Sequence, residues 1–95
     1  CTEPILQNVT NITDSSAGLG WTEVGQATAW EIELDTSGFT PAGSPTRSVV
    51  TNPYTYDTLE GNTWYDWYVR SICGGSDTSV WTGASTFRTK CSPVT

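Results

Sequence analysis

The residues able to do chemistry in this chain are few. Histidine is absent from the 95 residues. That removes the base of a Ser/His/Asp triad and of a Cys/His dyad. Carboxylates are the remaining candidates. Glu31, Glu33 and Asp35 alternate along one stretch, so on a strand all three share a face. Acid/base work on glycosides needs two carboxylates across a cleft, with their pKa values pushed apart. Three acids in line on an exposed strand supply no cleft. They are expected to be solvated, or paired across the sheet with Arg70 or Arg88. No catalytic residue is assigned, and the chain is not read as an enzyme. No cofactor is implied. Neither Asp77 nor the three acids sit in a spaced oxygen-ligand loop of the kind calcium needs. The three cysteines form no Cys-x2-Cys knuckle for zinc.

Aromatic rings are the second chemical resource, with five Trp and four Tyr. Trp64 and Tyr68 fall on the outward parity of their stretch, and Trp81 lies in Ser79-Val80-Trp81-Thr82. Exposed rings can stack on sugars, so these three are candidate ligand or partner contacts, with local packing as the alternative. Gly18 and Gly20 also share an outward parity. Glycine inside a strand often marks close approach by something else. The pair is therefore a candidate docking patch, with an idle solvent face as the alternative. Asn8-Val-Thr10 and Asn11-Ile-Thr13 match the N-glycosylation pattern, a short motif that also arises by coincidence.

The elements that must position these residues are strands. Ala17-Gly-Leu19-Gly-Trp21, Trp30-Glu-Ile32-Glu-Leu34 and Thr63-Trp-Tyr65-Asp-Trp67-Tyr-Val69-Arg70 place a large apolar side chain at every second position. That is the period of a half-buried antiparallel strand. Seven strands are predicted: 4–12, 16–22, 28–35, 46–51, 53–58, 63–73 and 84–89. Residues 37–45 are rich in Gly, Pro and Ser and form a loop; Gly74-Gly-Ser-Asp77 makes a turn. Short strands with turn signals every 8–12 residues indicate a β-sandwich, and no segment carries a helical period. The core should contain Ile5, Val9, Leu19, Trp21, Trp30, Ile32, Leu34, Tyr56, Leu59, Tyr65, Trp67, Val69 and Phe87.

Bulk properties narrow the function. The length allows one domain, assigned to residues 1–90, with 91–95 beginning a linker or a next repeat. Only four Lys and Arg stand against ten Asp and Glu, a net charge of −6. Nucleic acid is thereby excluded as a partner, since phosphates must be neutralised by cations. No stretch is long and apolar enough for a membrane span. The chain begins at Cys1 and reads as a fragment or processed product, so an export signal is expected elsewhere in the gene product.

Trp21, Trp30-x-Ile32-x-Leu34 and Leu59-x5-Tyr65-x3-Val69 together resemble the fibronectin type III signature, across essentially the whole chain. Gly61-Asn62 stands where the family usually has Pro-Gly. The resemblance implies an all-β, immunoglobulin-like sandwich with sheets A-B-E and C′-C-F-G. It implies that Tyr65 is a tyrosine corner, its hydroxyl bonding to backbone near Leu59. Ser79-Val80-Trp81-Thr82 resembles half of the Trp-Ser motif of cytokine-receptor type III domains, which implies that Trp81 stacks on Arg70. The Trp-Glu-Ile-Glu and Cys-Gly-Gly-x-Asp-Thr-Ser-x-Trp stretches look like repeats in secreted, multi-domain proteins of the Bacteroidetes.

The same topology bears on the cysteines. It brings the start of the first strand and the end of the sixth to one pole, so a Cys1–Cys73 disulfide is expected. Cys91-Ser-Pro93 echoes Cys1-Thr-Glu-Pro4 one period of 90 residues later. Cys91 is thus expected to bridge to a following unit; three reduced thiols are the alternative. The resulting expectation is a non-catalytic structural or spacer and interaction module of a larger extracellular or cell-surface protein, one repeat of a tandem array. Its partners would be neighbouring domains of the same polypeptide. The alternative is a module that binds a glycan or surface protein through exposed aromatics.

Overall fold

A computed structural model describes residues 2–38, 46–74 and 77–91. The described strands form two antiparallel sheets. The first contains β1 (Ile5–Thr10), β2 (Ala17–Thr22) and β5 (Tyr54–Tyr56), in the order β1-β2-β5. The second contains β3 (Ala29–Thr36), β4 (Arg47–Val49), β6 (Trp64–Gly74), β7 (Asp77–Thr78) and β8 (Ser85–Arg88). Its order is β4-β3-β6, with both β7 and β8 on the far side of β6. This is the predicted A-B-E and C′-C-F-G arrangement. The last strand is delivered in two pieces rather than one: β7 pairs with the end of β6 and β8 with its start. Residues 39–45 of the expected 37–45 loop and the tip of the turn at 75–76 lie outside the described residues.

Alternation explains the long central pair. On β3, Trp30, Ile32 and Leu34 turn inward and are buried; on β6, Tyr65, Trp67 and Val69 do the same. The two strands pair without interruption from Ala29↔Ile72 to Thr36↔Tyr65. A one-residue slip would send every one of these side chains to the wrong face, so the register is strongly fixed. Between the sheets Trp21 packs edge-on against Trp30, with ring centroids 5.4 Å apart, and lies 6.2 Å from Trp67. Tyr65 stacks on Phe87 at 5.7 Å. Ala17, Leu19, Val49, Tyr56 and Leu59 complete the core. Trp67 is fully buried, so its truncation to Ala should cost about 3–5 kcal/mol.

Two members of the expected core are placed differently. Ile5 is 45% exposed, and Val9 is only partly buried against the cluster. For Ile5 the cause is a register shift on β1 between Ile5 and Asn8, where Leu6 adopts φ 53°; Val9, opposite Leu19, keeps the expected parity and packs against the core from its edge. An extra residue in one strand of a pair breaks the period-2 reading beyond it. Ala17 and Val49 are core residues absent from the expected set.

Side chains seal the seams that the ladders leave open. Asn52 donates to the Trp21 carbonyl (2.7 Å) and accepts from the Trp21 N–H (3.2 Å), acting as a strand partner beside the cis Asn52–Pro53 bond. Gln7 Nε2 crosses the sandwich to the Trp67 carbonyl at 3.3 Å. Arg47 on edge strand β4 reaches β5 in the other sheet. It donates to Tyr54 Oη (2.7 Å), Asp57 and Thr58, and its guanidinium lies 4.2 Å over the Tyr56 ring. The Tyr54 hydrogen bond first, then the Asp57 hydrogen bond and electrostatic attraction to the Tyr56 and Tyr54 phenol groups, hold its pKa above the ordinary arginine value, against the opposing effect of burial.

Candidate functional site

The outward face of the larger sheet gathers most of the residues singled out from the sequence. Glu31 and Arg70 are cross-strand neighbours. The two groups form an ion pair, Arg70 Nη2 and Nε each 2.7 Å from Glu31 Oε1. The indole of Trp81 covers the other side of the guanidinium, its centroid 4.5 Å from Arg70 Cζ. The Arg70 guanidinium is thus hydrogen-bonded to a carboxylate and packed against an indole. Such a cation–π contact contributes about 0.5–1 kcal/mol at an exposed site and more where water is partly excluded. The expected stacking of Trp81 on Arg70 is present.

The Trp81 segment bridges β7 and β8 by a mixed ladder. Ser79 N–H donates to the Ser71 carbonyl and Thr82 N–H to the Val69 carbonyl, at 2.9 and 3.0 Å. In return, Ser79 Oγ accepts from Ser71 N–H (2.8 Å) and Thr82 Oγ1 from Val69 N–H (3.1 Å). Two hydroxyls therefore stand in for two strand carbonyls. This is why a segment without regular strand geometry still satisfies the edge of β6.

The row of acids is not uniformly solvated. Glu31 is paired as expected, and Asp35 is exposed, but Glu33 is 6% exposed. Glu33 lies opposite Tyr68, which is itself half-buried. Among the described residues no group of three or more His, Cys, Asp or Glu is placed to hold a metal ion.

Two carboxylates not singled out in the sequence are heavily hydrogen-bonded. Glu23, in the loop after β2, accepts from Trp30 Nε1 and Ser71 Oγ on one oxygen, at 2.8 and 2.9 Å. Its other oxygen accepts from the Gly25 and Ala27 N–H groups, at 2.8 and 3.4 Å. Burial opposes ionisation, but these four bonds together outweigh it and hold Glu23 below its usual 4.5. Asp66, on β6, accepts from Thr86 Oγ1 (2.7 Å), Gly38 N–H (3.0 Å) and Ser37 Oγ (3.0 Å). The Thr86 bond leads, with the Gly38 and Ser37 bonds, in lowering its pKa from 3.8 against the effect of burial.

Tyr65 behaves as the resemblance implied: its hydroxyl accepts the Glu60 N–H at 2.9 Å. The glycine patch does not. Gly18 and Gly20 are buried, each opposite a β1 residue, Thr10 and Asn8 respectively. A Cβ on Gly20 would stand 2.5 Å from Asn8 Oδ1, and one on Gly18 would stand 2.9 Å from Thr10 Oγ1 and 3.2 Å from the Thr10 carbonyl. Close approach is indeed the reason for glycine here, but what approaches is the neighbouring strand, so the flat open patch is absent.

Trp64 remains open. It is 54% exposed, and its cross-strand partner Arg88 holds Cζ 5.7 Å from the ring centroid. Beyond it, Ile12, Thr13, Asp14, Lys90 and Cys91 line an open depression of about 280 Å3. Cys91 carries an exposed free thiol. Cys1 lies outside the described residues, and so does the geometry of a Cys1–Cys73 bridge.

A scan against protein-family models and a search of curated proteins return no match. Solved structures do match. The chain is similar to FN3tt, with a TM-score of 0.76 and 23% identity over 94% of each chain. It is similar to the fn3 domain of human collagen alpha-1(XX), with a TM-score of 0.73 and 21% identity over 99% of this chain and 90% of that one. It also matches domains A168–A170 from titin, with a TM-score of 0.78 and 20% identity. There it covers 94% of itself but only 32% of the titin chain. At these identities the likeness speaks for the fold. The sheet order, the tyrosine corner and these neighbours agree that the chain has the fibronectin type III fold.

Proposed function

We propose that this chain is a non-catalytic module of a larger extracellular or cell-surface protein, one repeat of a tandem array that spaces and presents its neighbours. The observation that carries this reading is where the polar side chains are spent. Glu31 neutralises Arg70, Asp66 ties β6 to β8 and to the end of β3, and Glu23 gathers the loop after β2. These acids hold strands together and do not face one another across a cleft. Fibronectin type III domains commonly serve as modules of longer chains, and the match to one part of a titin structure fits that use.

The extracellular setting is supported by the cysteines. A Cys1–Cys73 bridge would tie the N-terminus to the end of β6, and Cys73 is already engaged rather than free. Cys91 then remains for a partner in a following unit. A bridge closing so long a loop contributes about 2–4 kcal/mol. The bacterial setting rests on the sequence resemblance alone. Antibody raised against the module and applied to intact cells and culture medium tests the placement. Surface or medium staining is expected; recovery only after lysis would overturn it.

A second reading, a glycan- or protein-binding module, is favoured by one observation. Trp64 is 54% exposed, while Trp81 packs on Arg70 and Tyr68 is half-buried.

A further inference from the structure

The molecule has few cations, and they divide into two kinds. Arg47 and Arg70 are bound to Asp57 and Glu31. Arg88 and Lys90 make no ion pair among the described residues, although the chain carries ten acidic groups against four basic ones. Both are exposed, two residues apart at the end of β8, flanking the buried Thr89. Arg88 is the direct cross-strand partner of Trp64, and Lys90 lines the depression with Ile12, Thr13 and Asp14. The two positive charges without an ion pair among the described residues therefore lie at the end of β8, and the Arg88 guanidinium stands 5.7 Å from the Trp64 ring centroid, the most exposed aromatic ring among the described residues.

The immediate backbone is firmly held. The Asn62 N–H donates to the Lys90 carbonyl (2.9 Å), Thr89 N–H to the Thr63 carbonyl (3.1 Å) and Lys90 N–H to the Thr13 carbonyl (3.0 Å). Thr89 Oγ1 further donates to the Glu60 carbonyl at 2.6 Å and accepts from Thr63 N–H at 3.0 Å. Ring and charges are thus presented on a braced end of the sandwich, so little order must be gained on binding.

We propose that Trp64, Arg88 and Lys90 form a binding site for an acidic saccharide, a chain of uronic-acid type. The indole face takes the C–H face of a sugar ring, and the guanidinium and ammonium take carboxylates on the same or the next ring. The ring distinguishes this ligand from a generic anion. The carboxylates distinguish it from a neutral glycan, since Arg88 and Lys90 are the two cations that no ion pair among the described residues already neutralises. The proposal deepens the binding reading of Trp64 and rests on it. Asp14 lines the same depression; its charge opposes an anion there and places the acidic groups toward Arg88.

The test is a 15N-NMR titration of the 95-residue chain with an oligogalacturonate, its fully methyl-esterified form, and polyglutamate of equal length. The free acid is expected to shift the Trp64 indole and the amides around Arg88 and Lys90, and to bind more weakly as salt rises. The ester and polyglutamate should each bind at least about tenfold more weakly than the free acid, and so should the free acid to Trp64→Ala and to Arg88→Gln/Lys90→Gln. Equal binding of ester and acid would overturn the acidic-ligand claim while leaving Trp64 as a glycan contact. Equal binding of polyglutamate, unaffected by Trp64→Ala, would reduce the site to charge alone and overturn the saccharide claim. No shift with any of the three would overturn both the site and the binding reading of Trp64.

Discussion

Glu23 provides the sharpest energetic test of how this sandwich holds its loop. Its two oxygens serve separate donor pairs: Trp30 Nε1 with Ser71 Oγ, and the Gly25 with the Ala27 N–H. Glu23→Gln keeps one acceptor oxygen and turns an N–H2 toward the other pair. Glu23→Ala removes both. Leaving a buried donor unpaired costs about 1–3 kcal/mol. The site is only partly buried, so water recovers some of that loss. Gln should therefore cost about 1 kcal/mol and Ala about 2–3 kcal/mol. For a domain of this size each kcal/mol lowers Tm by about 4–8 °C. Urea or thermal unfolding followed by tryptophan fluorescence reads the series directly. The pH dependence has a fixed sign. Glu23 is held below 4.5, so its contribution is present above that pH and is lost as pH falls through the lower, folded-state value. Asp66 contributes with the same sign to both proteins and cancels in the comparison. The gap between wild type and Glu23→Ala should accordingly close in acid. Equal stability of all three proteins at pH 7, or a gap that widens below pH 4.5, would refute the reasoning.

Three further outcomes follow from the same contacts. Tyr65→Phe should cost about 1–2 kcal/mol by unpairing the Glu60 N–H, with faster hydrogen exchange at that amide. Gly20→Ala should cost less than about 1 kcal/mol, because the nearest atoms to its Cβ belong to the exposed Asn8 side chain, which can turn away; chemical denaturation of Gly20→Ala and of Asn8→Ala/Gly20→Ala should give nearly the same midpoint. Trp81→Ala, measured in a double-mutant cycle with Arg70→Met, should show a coupling of about 0.5–1 kcal/mol, and a coupling of zero would remove the stack from the energetics.

The architecture was readable where parity was unbroken. Trp30, Ile32 and Leu34 against Tyr65, Trp67 and Val69 announce two paired strands, and both sit in the core as expected. Parity misled at Ile5, because the register shift before Asn8 is a backbone event with no composition signal. It also misled at Glu33, which alternation assigned to solvent but which is buried in its sheet. Gly18 and Gly20 gave a true signal of close approach, yet the approaching group is β1 and not a partner. Glu23 could not be found by spacing: its Ser71 partner is 48 residues away, and only the folded topology brings them together. The Arg70–Trp81 stack was legible because a short motif fixed one member and strand pairing the other. Arg88 and Lys90 stand out only once Arg47 and Arg70 are seen to be neutralised.

The proposed function makes this chain one extracellular module among several, stapled at one pole and linked onward at the other. Tryptic mapping of the full-length parent protein under non-reducing conditions tests it most directly. The peptide ending at Arg47, which holds Cys1, should be bridged to the peptide holding Cys73, and the peptide holding Cys91 should be joined to a cysteine beyond this module. A Cys73–Cys91 linkage, or three free thiols in protein taken from its natural source, would contradict it.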